Sequence, residues 1–308
     1  MKPFLTHSTK ACLGILLALV LLTGCTSKIA YNNVDWLAVR WVDRQIDLDR
    51  DQRQLVSQHV SEQQQWHCAT QLHAYEGWLE QVRLDLLSNR IDRDQLILYG
   101  DEMAAFARSL SGRLAPMLVD LAASLDDQQV ESALAELDER IEKLREEIDA
   151  RSPEQWAIDR YEGMQRRLKR LMGSLNPDQQ ERLERWAEEL QPTHQHQLVQ
   201  RIYWRDRIEQ ALKRRDNLQF LTSEINALLD PAAVWPEPYQ QAMETNRALT
   251  LNALTDLVEL VEPEQMSRIS ARLSRLKSDV QRLSCEGEAT EELLASVPSA
   301  GGVGTTTR

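Results

Sequence analysis

Glycine and proline are scarce in this chain, 11 and 10 among 308 residues. Sheets closed by tight turns need such residues at short intervals, and no long segment here alternates apolar with polar side chains. Sandwich and barrel folds are therefore excluded. Phenylalanine is rarer still, with three copies. No apolar run reaches the roughly 20 residues that a bilayer-spanning helix requires. Also missing are a Gly-x-Ser-x-Gly elbow and a glycine-rich phosphate loop, so esterase and nucleotidase readings lack their usual signals. Cations are outnumbered, 36 Lys and Arg against 48 Asp and Glu. That balance argues against nucleic acid as a partner and against electrostatic attachment to anionic lipid.

Leu, Ala, Glu, Gln and Arg abound, and these are helix formers. Helix starts are marked by one recurring pattern, an aliphatic residue, then Asp, Asn or Glu, two positions, then Gln. It reads Leu48-Asp49-Arg50-Asp51-Gln52, Ile91-Asp92-Arg93-Asp94-Gln95 and Leu125-Asp126-Asp127-Gln128-Gln129. It recurs as Leu175-Asn176-Pro177-Asp178-Gln179 and Val261-Glu262-Pro263-Glu264-Gln265, while Ser152-Pro153-Glu154-Gln155 lacks the aliphatic lead. Physically this is a capping box: a short polar side chain accepts orphan N–H groups, and Gln reaches back to the cap. Pro153, Pro177 and Pro263 fall at the first helical position, where no N–H is required.

Behind the caps, Val130, Leu134, Leu137, Ile141, Leu144 and Ile148 step by four and three, as do Ile269, Leu273, Leu276, Val280 and Leu283. Met164, Leu168, Leu171 and Leu175 form a shorter seam. The expected fold is all-α, an elongated bundle of long amphipathic helices with coiled-coil-like antiparallel packing. Helices are expected at about 33–46, 49–88, 92–123, 126–150, 153–172, 177–215, 218–229, 238–260 and 263–283. Pro116 and Pro192 should kink or interrupt two of them. The proline-rich stretch 230–238 reads as a loop and hinge.

At the N-terminus, Lys2 and Lys10 precede an apolar run of about a dozen residues, with no acid before Cys25. Leu21-Leu22-Thr23-Gly24-Cys25 resembles the lipobox of bacterial lipoproteins. The resemblance implies cleavage before Cys25, a diacylglycerol thioether on its sulfur and an amide-linked acyl chain, which together hold a membrane stably. Thr26 in place of aspartate implies, in the enterobacterial sorting pattern, the outer membrane with the protein facing the periplasm. An ordinary cleaved signal peptide is the alternative. The expected division is a signal peptide at 1–24, a lipidated linker at 25–32, an all-helical periplasmic domain at 33–285 and a disordered Ser, Gly and Thr-rich tail at 286–308. Trp36 lies only eleven positions after Cys25, a reach of at most about 40 Å.

With Cys25 lipidated, Cys68 and Cys285 remain, and in an oxidising compartment the simplest arithmetic pairs them. Two separate buried thiols are the alternative. Of the histidines past Cys25, namely His59, His67, His73, His194 and His196, no two are spaced i, i+4 as zinc-binding helices require. His194 and His196 sit beside Pro192, where a broken helix would bring them together. No catalytic, cofactor or metal-ligating set is assigned, and carboxylates are too many for an acid pair to be singled out. Eight tryptophans read either as ring anchors between helices or as a Trp-lined groove, with Trp36 and Trp41 a membrane-interface pair.

Ala30-Tyr31-Asn32-Asn33-Val34-Asp35-Trp36-Leu37, then Trp41-Val42-Asp43 and Asp47-Leu48-Asp49, resembles the start of an uncharacterised family of proteobacterial lipoproteins, a domain of unknown function. Trp66-His67 and the 173–179 segment with Trp186 are similar to its later blocks. The resemblance implies an envelope lipoprotein and no activity. A weaker likeness is to small periplasmic stress chaperones with Leu-Thr-x-x-Gln repeats, though here Asp, Asn or Glu replaces the Thr. The expected function is that of a lipid-anchored scaffold or chaperone-like protein, held to the membrane by acyl chains on Cys25 and binding an unidentified envelope protein. An envelope enzyme acting on glycan or lipid through carboxylates, or a carrier of an apolar ligand, is the alternative.

Overall fold

The computed structural model of the chain describes residues 25–230 and 235–283, with side chains from Lys28 onward. Every regular element among them is a helix: α1 (Cys25–Asn32), α2 (Val34–Ile46), α3 (Arg50–Trp66), α4 (Leu72–Leu87), α5 (Arg93–Ser124) and α6 (Asp127–Asp149). There follow α7 (Pro153–Met172), α8 (Pro177–Glu189), α9 (His194–Lys213), α10 (Leu218–Leu229), α11 (Glu237–Glu259) and α12 (Pro263–Leu283). The fold is all-α, and most expected boundaries fall within a residue or two of those observed. The signal segment, Cys285 and the expected tail lie outside the described residues, as does part of the 230–238 loop.

Three local expectations need correction. The 25–32 segment is helical, where a linker was expected. Its eight residues rise only about 12 Å as a helix, so the fold starts close to Cys25. Pro116 does not interrupt α5, which runs through it with the proline on the exposed side. The expected 49–88 helix is divided by a π-turn, His67–Gln71, where the Leu72 N–H reaches back to the His67 carbonyl.

The capping boxes behave as their chemistry dictates at Asp49, Asp126 and Asn176, where side-chain and backbone bonds are reciprocal. What the local pattern conceals is that these boxes meet in pairs. Gln52 and Gln129 donate to each other's Oε1 at 2.9 and 2.7 Å, each oxygen also accepting its own cap N–H. Their amides then donate to the Ser124 and Asp47 carbonyls. Gln179 and Gln265 repeat the arrangement at 2.8 and 3.0 Å, with Leu260 and Ser174 supplying the carbonyls. Both pairs therefore close every donor and acceptor that a buried amide presents.

Each Gln pair sits inside its own apolar cluster. Leu48, Val56, Met117, Leu121, Leu125, Val130 and Leu134 surround the first, between α2, α3, α5 and α6. Leu175, Leu183, Leu257, Ile269 and Leu273 lie around the second, between α7, α8, α11 and α12. The long α3–α4 rod connects them, since α3 packs on α2 and α5 while α4 packs along α12.

Candidate functional site

Where α8 ends, Leu190 is extended, and Pro192 disfavours helical conformation at Gln191 before it. Gln191 is then held from both sides by Asn246, its N–H donating to Oδ1 at 2.8 Å and its carbonyl accepting from Nδ2 at 3.0 Å. The chain re-enters helix at His194. Opposite this break, the turn between α6 and α7 brings in Arg151, and the Ser152 cap starts a helix whose first turn carries Trp156. The four chain segments bound an open cleft of about 900 Å³.

Its centre is a stack. The rings of Trp156 and His194 lie 3.6 Å apart at 23°, and the Arg151 guanidinium sits 4.6 Å from the Trp156 ring while pairing with Asp159 at 3.5 Å. Ile148, Ala157, Ile158, Tyr161, Leu190 and Pro192 supply the apolar lining. Ile158 is 49% exposed. Arg160 points inward, but its Nε and Nη2 both donate to the Ala187 carbonyl at 3.0 and 2.7 Å, covering an orphan acceptor of the α8 end. Burial lowers the pKa of this guanidinium. Beyond the cleft, Val199, Ile202 and Tyr203 form an exposed apolar stripe on α9, starting one turn past the cleft residue Gln195.

The carboxylates of the cleft, Glu154, Glu184 and Glu188, are all exposed. The Ser152 side chain holds Glu154 below the usual carboxylate range, the direction opposite to a general acid. The two histidines just after the break both line the cleft but turn to different partners, His194 to Trp156 and His196 to Tyr239, 5.6 Å away at 17°. Among the described residues no three His, Cys, Asp or Glu side chains converge as a metal site would require.

A second cluster lies at the π-turn. The extra residue there turns Trp66, His67 and Cys68 into the interior together. Tyr31 of α1 reaches across, its hydroxyl 3.0 Å from His67 Nδ1 and its carbonyl accepting from Gln64 Nε2 at 2.6 Å. Tyr75 and Phe106 extend the aromatic contacts. Burial pushes the Tyr75 hydroxyl up to about 12 and lowers His67 to about 4. Cys68 Sγ lies 3.4 Å from the Leu283 carbonyl, two residues short of Cys285.

The remaining candidates divide by exposure. His59 lies 3.1 Å from Asp120, and His73 is exposed. Trp66 and Trp186 are buried anchors, the Trp186 N–H donating to Thr250 at 3.0 Å. Trp78 and Trp204 also anchor, but their buried N–H groups have no hydrogen-bond acceptor among the described residues. Trp36 and Trp41 are exposed and anchor nothing. The sequence showed the Ser152 cap and the Pro192 break separately, and no local signal brought Trp156 to His194.

A family model described as "Family of unknown function (DUF6279)" matches residues 44–240. Neither the curated proteins nor the solved structures give a match. The matched span holds the first Gln pair and all the cleft residues, and it begins after the Tyr31 to Trp41 block.

Proposed function

The chain belongs to this family of unknown function, and since membership brings no activity with it, we propose that it is a lipid-anchored protein of the cell envelope that faces the periplasm and binds another protein without catalysing a reaction. The anchor rests on the Leu21 to Cys25 segment, and Thr26 favours the outer membrane. No described helix is long and apolar enough to cross a membrane.

The observation that carries the binding role is the cleft at Trp156, with the exposed stripe of Val199, Ile202 and Tyr203 following one turn on along α9. Arg151 is stacked and paired, Arg160 is committed to backbone, and Glu154, Glu184 and Glu188 are exposed, so the surface it offers a partner is aromatic and aliphatic with a charged rim of three acids and Arg151. Such a surface suits an extended segment presenting apolar side chains, in the manner of a scaffold or chaperone-like factor. The carboxylate-enzyme alternative draws no support from the exposed acids of this cleft. A carrier of an apolar ligand is favoured by one observation, a volume within the range of small-molecule sites. Native mass spectrometry of membrane-extracted protein would show co-purified lipid in that case.

Two assays test the proposal. Cys25→Ser should abolish acylation and release the protein from membranes, and an unchanged membrane fraction would refute the anchor. The purified chain should suppress aggregation of unfolded clients or retain envelope proteins, with Trp156→Ala and Ile158→Asp weakening both. Failure in both assays would remove the binding role.

A further inference from the structure

Net charge conceals an asymmetry at the first two helices. The exposed residues from 28 to 46 are Lys28, Ile29, Asn32, Asn33, Trp36, Leu37, Arg40, Trp41 and Arg44. They include three cations and no acid, in a chain of net charge −12. Both acids of α2 turn toward α3, where Asp35 accepts from Ser57 Oγ at 3.4 Å and Asp43 from Arg53 Nη2 at 2.9 Å. On α2, Trp36, Leu37, Arg40, Trp41 and Arg44 follow helical spacing and share one face. Trp36 and Trp41 are each 57% exposed, and the Arg40 guanidinium lies 5.5 Å from the Trp36 ring.

We propose that this face docks on the surface of an anionic phospholipid bilayer, with the two indoles at headgroup depth and Arg40 and Arg44 among the phosphates. Indoles are amphipathic and favour that depth, while cations near an anionic leaflet are attracted over about a Debye length. The opposite charge of the rest of the molecule orients it: the α1–α2 face toward lipid, the acidic body away. Tyr31 fixes the geometry, because its bonds to Gln64 and His67 clamp α1 onto the α3–α4 rod. The inference rests on the proposed anchor for its place beside the bilayer, whereas the face itself is a property of these side chains. It amends the argument from total charge, which holds for the molecule and fails for this surface.

The test reads tryptophan emission from the full chain bound to vesicles of phosphatidylethanolamine and phosphatidylglycerol carrying brominated acyl chains. Quenching should involve Trp36 and Trp41, at most about a quarter of the emission of eight tryptophans, and vanish in Trp36→Phe/Trp41→Phe. Arg40→Gln/Arg44→Gln should reduce it to the level seen on phosphatidylcholine alone. All four side chains are exposed, and circular dichroism would confirm that the variants keep their helices. Protein that sediments with the vesicles and carries acyl mass on Cys25, yet shows no quenching or quenching unchanged by either double variant, overturns the docked face and leaves the anchor standing. Missing acyl mass overturns the anchor, and quenching by the anionic vesicles that is lost in both double variants still upholds the face.

Discussion

Gln179 is fully buried and uses all of its amide. Its oxygen accepts from the Asn176 N–H and from Gln265, while its nitrogen donates to Gln265 and to the Leu260 carbonyl. Removing one partner strands buried groups that have no access to water. Gln179→Ala and Gln265→Ala should therefore each cost on the order of 2–4 kcal/mol. The double variant should cost less than the sum by about 0.5–3 kcal/mol, because the second removal strands fewer new groups. Urea unfolding of the four proteins measures this, and additive single costs would contradict the paired geometry. His67 makes a second residue-scale prediction. Its folded pKa of about 4 lies below the ordinary 6.5, so the unfolded chain binds more protons between those values. Stability contributed by neutral His67 is full above pH 6.5 and is lost as pH falls toward 4, on the order of 3 kcal/mol in all. Glu80, held down to about 2 by Arg83 and Lys277, loses its contribution only below its ordinary 4.5. The slope between pH 6.5 and 5 should therefore shrink in His67→Gln, and an unchanged slope would count against a buried neutral imidazole.

At the scale of elements, what the sequence made legible was local. Caps, first-turn prolines and apolar seams each act within one or two turns, so helix boundaries could be read from Asp49, Ser152, Pro177 or Pro263 directly. Pro192 ended a helix and Pro116 did not, although both prolines are exposed; at Pro192 the broken backbone is received by Asn246 at Gln191. The meeting of capping boxes 77 and 86 residues apart was not legible, since a Gln that caps its own helix looks the same whether or not another amide faces it. The same applies to the cleft, where Trp156 and His194 are neighbours only after α7, α8 and α9 have packed. The placement of Cys68 beside the end of α12 belongs to this scale too. We propose that Cys68 and Cys285 form a disulfide linking the π-turn to the chain just past α12. A non-reducing peptide map should recover the two peptides joined, and reduction should lower stability by up to roughly 5 kcal/mol, the chain-entropy value for so long a loop. Free thiols at both positions would refute the bond.

For the whole molecule, the two Gln-paired junctions divide the architecture into similar ends joined by the α3–α4 rod. The two proposed surfaces belong to different elements: the basic, indole-bearing face to α1 and α2, and the aromatic cleft to the turns around α7, α8 and α9. In the proposed arrangement one surface is held at the bilayer while the other remains open to a partner. The measurement that tests this most directly is photo-crosslinking in living cells, with a photoreactive residue at Ile158 in the cleft and, for comparison, at exposed Gln128 on α6. The account predicts a discrete protein adduct from position 158 that weakens with Trp156→Ala and is absent from position 128. No adduct at 158, or the same adducts at both positions, would contradict it.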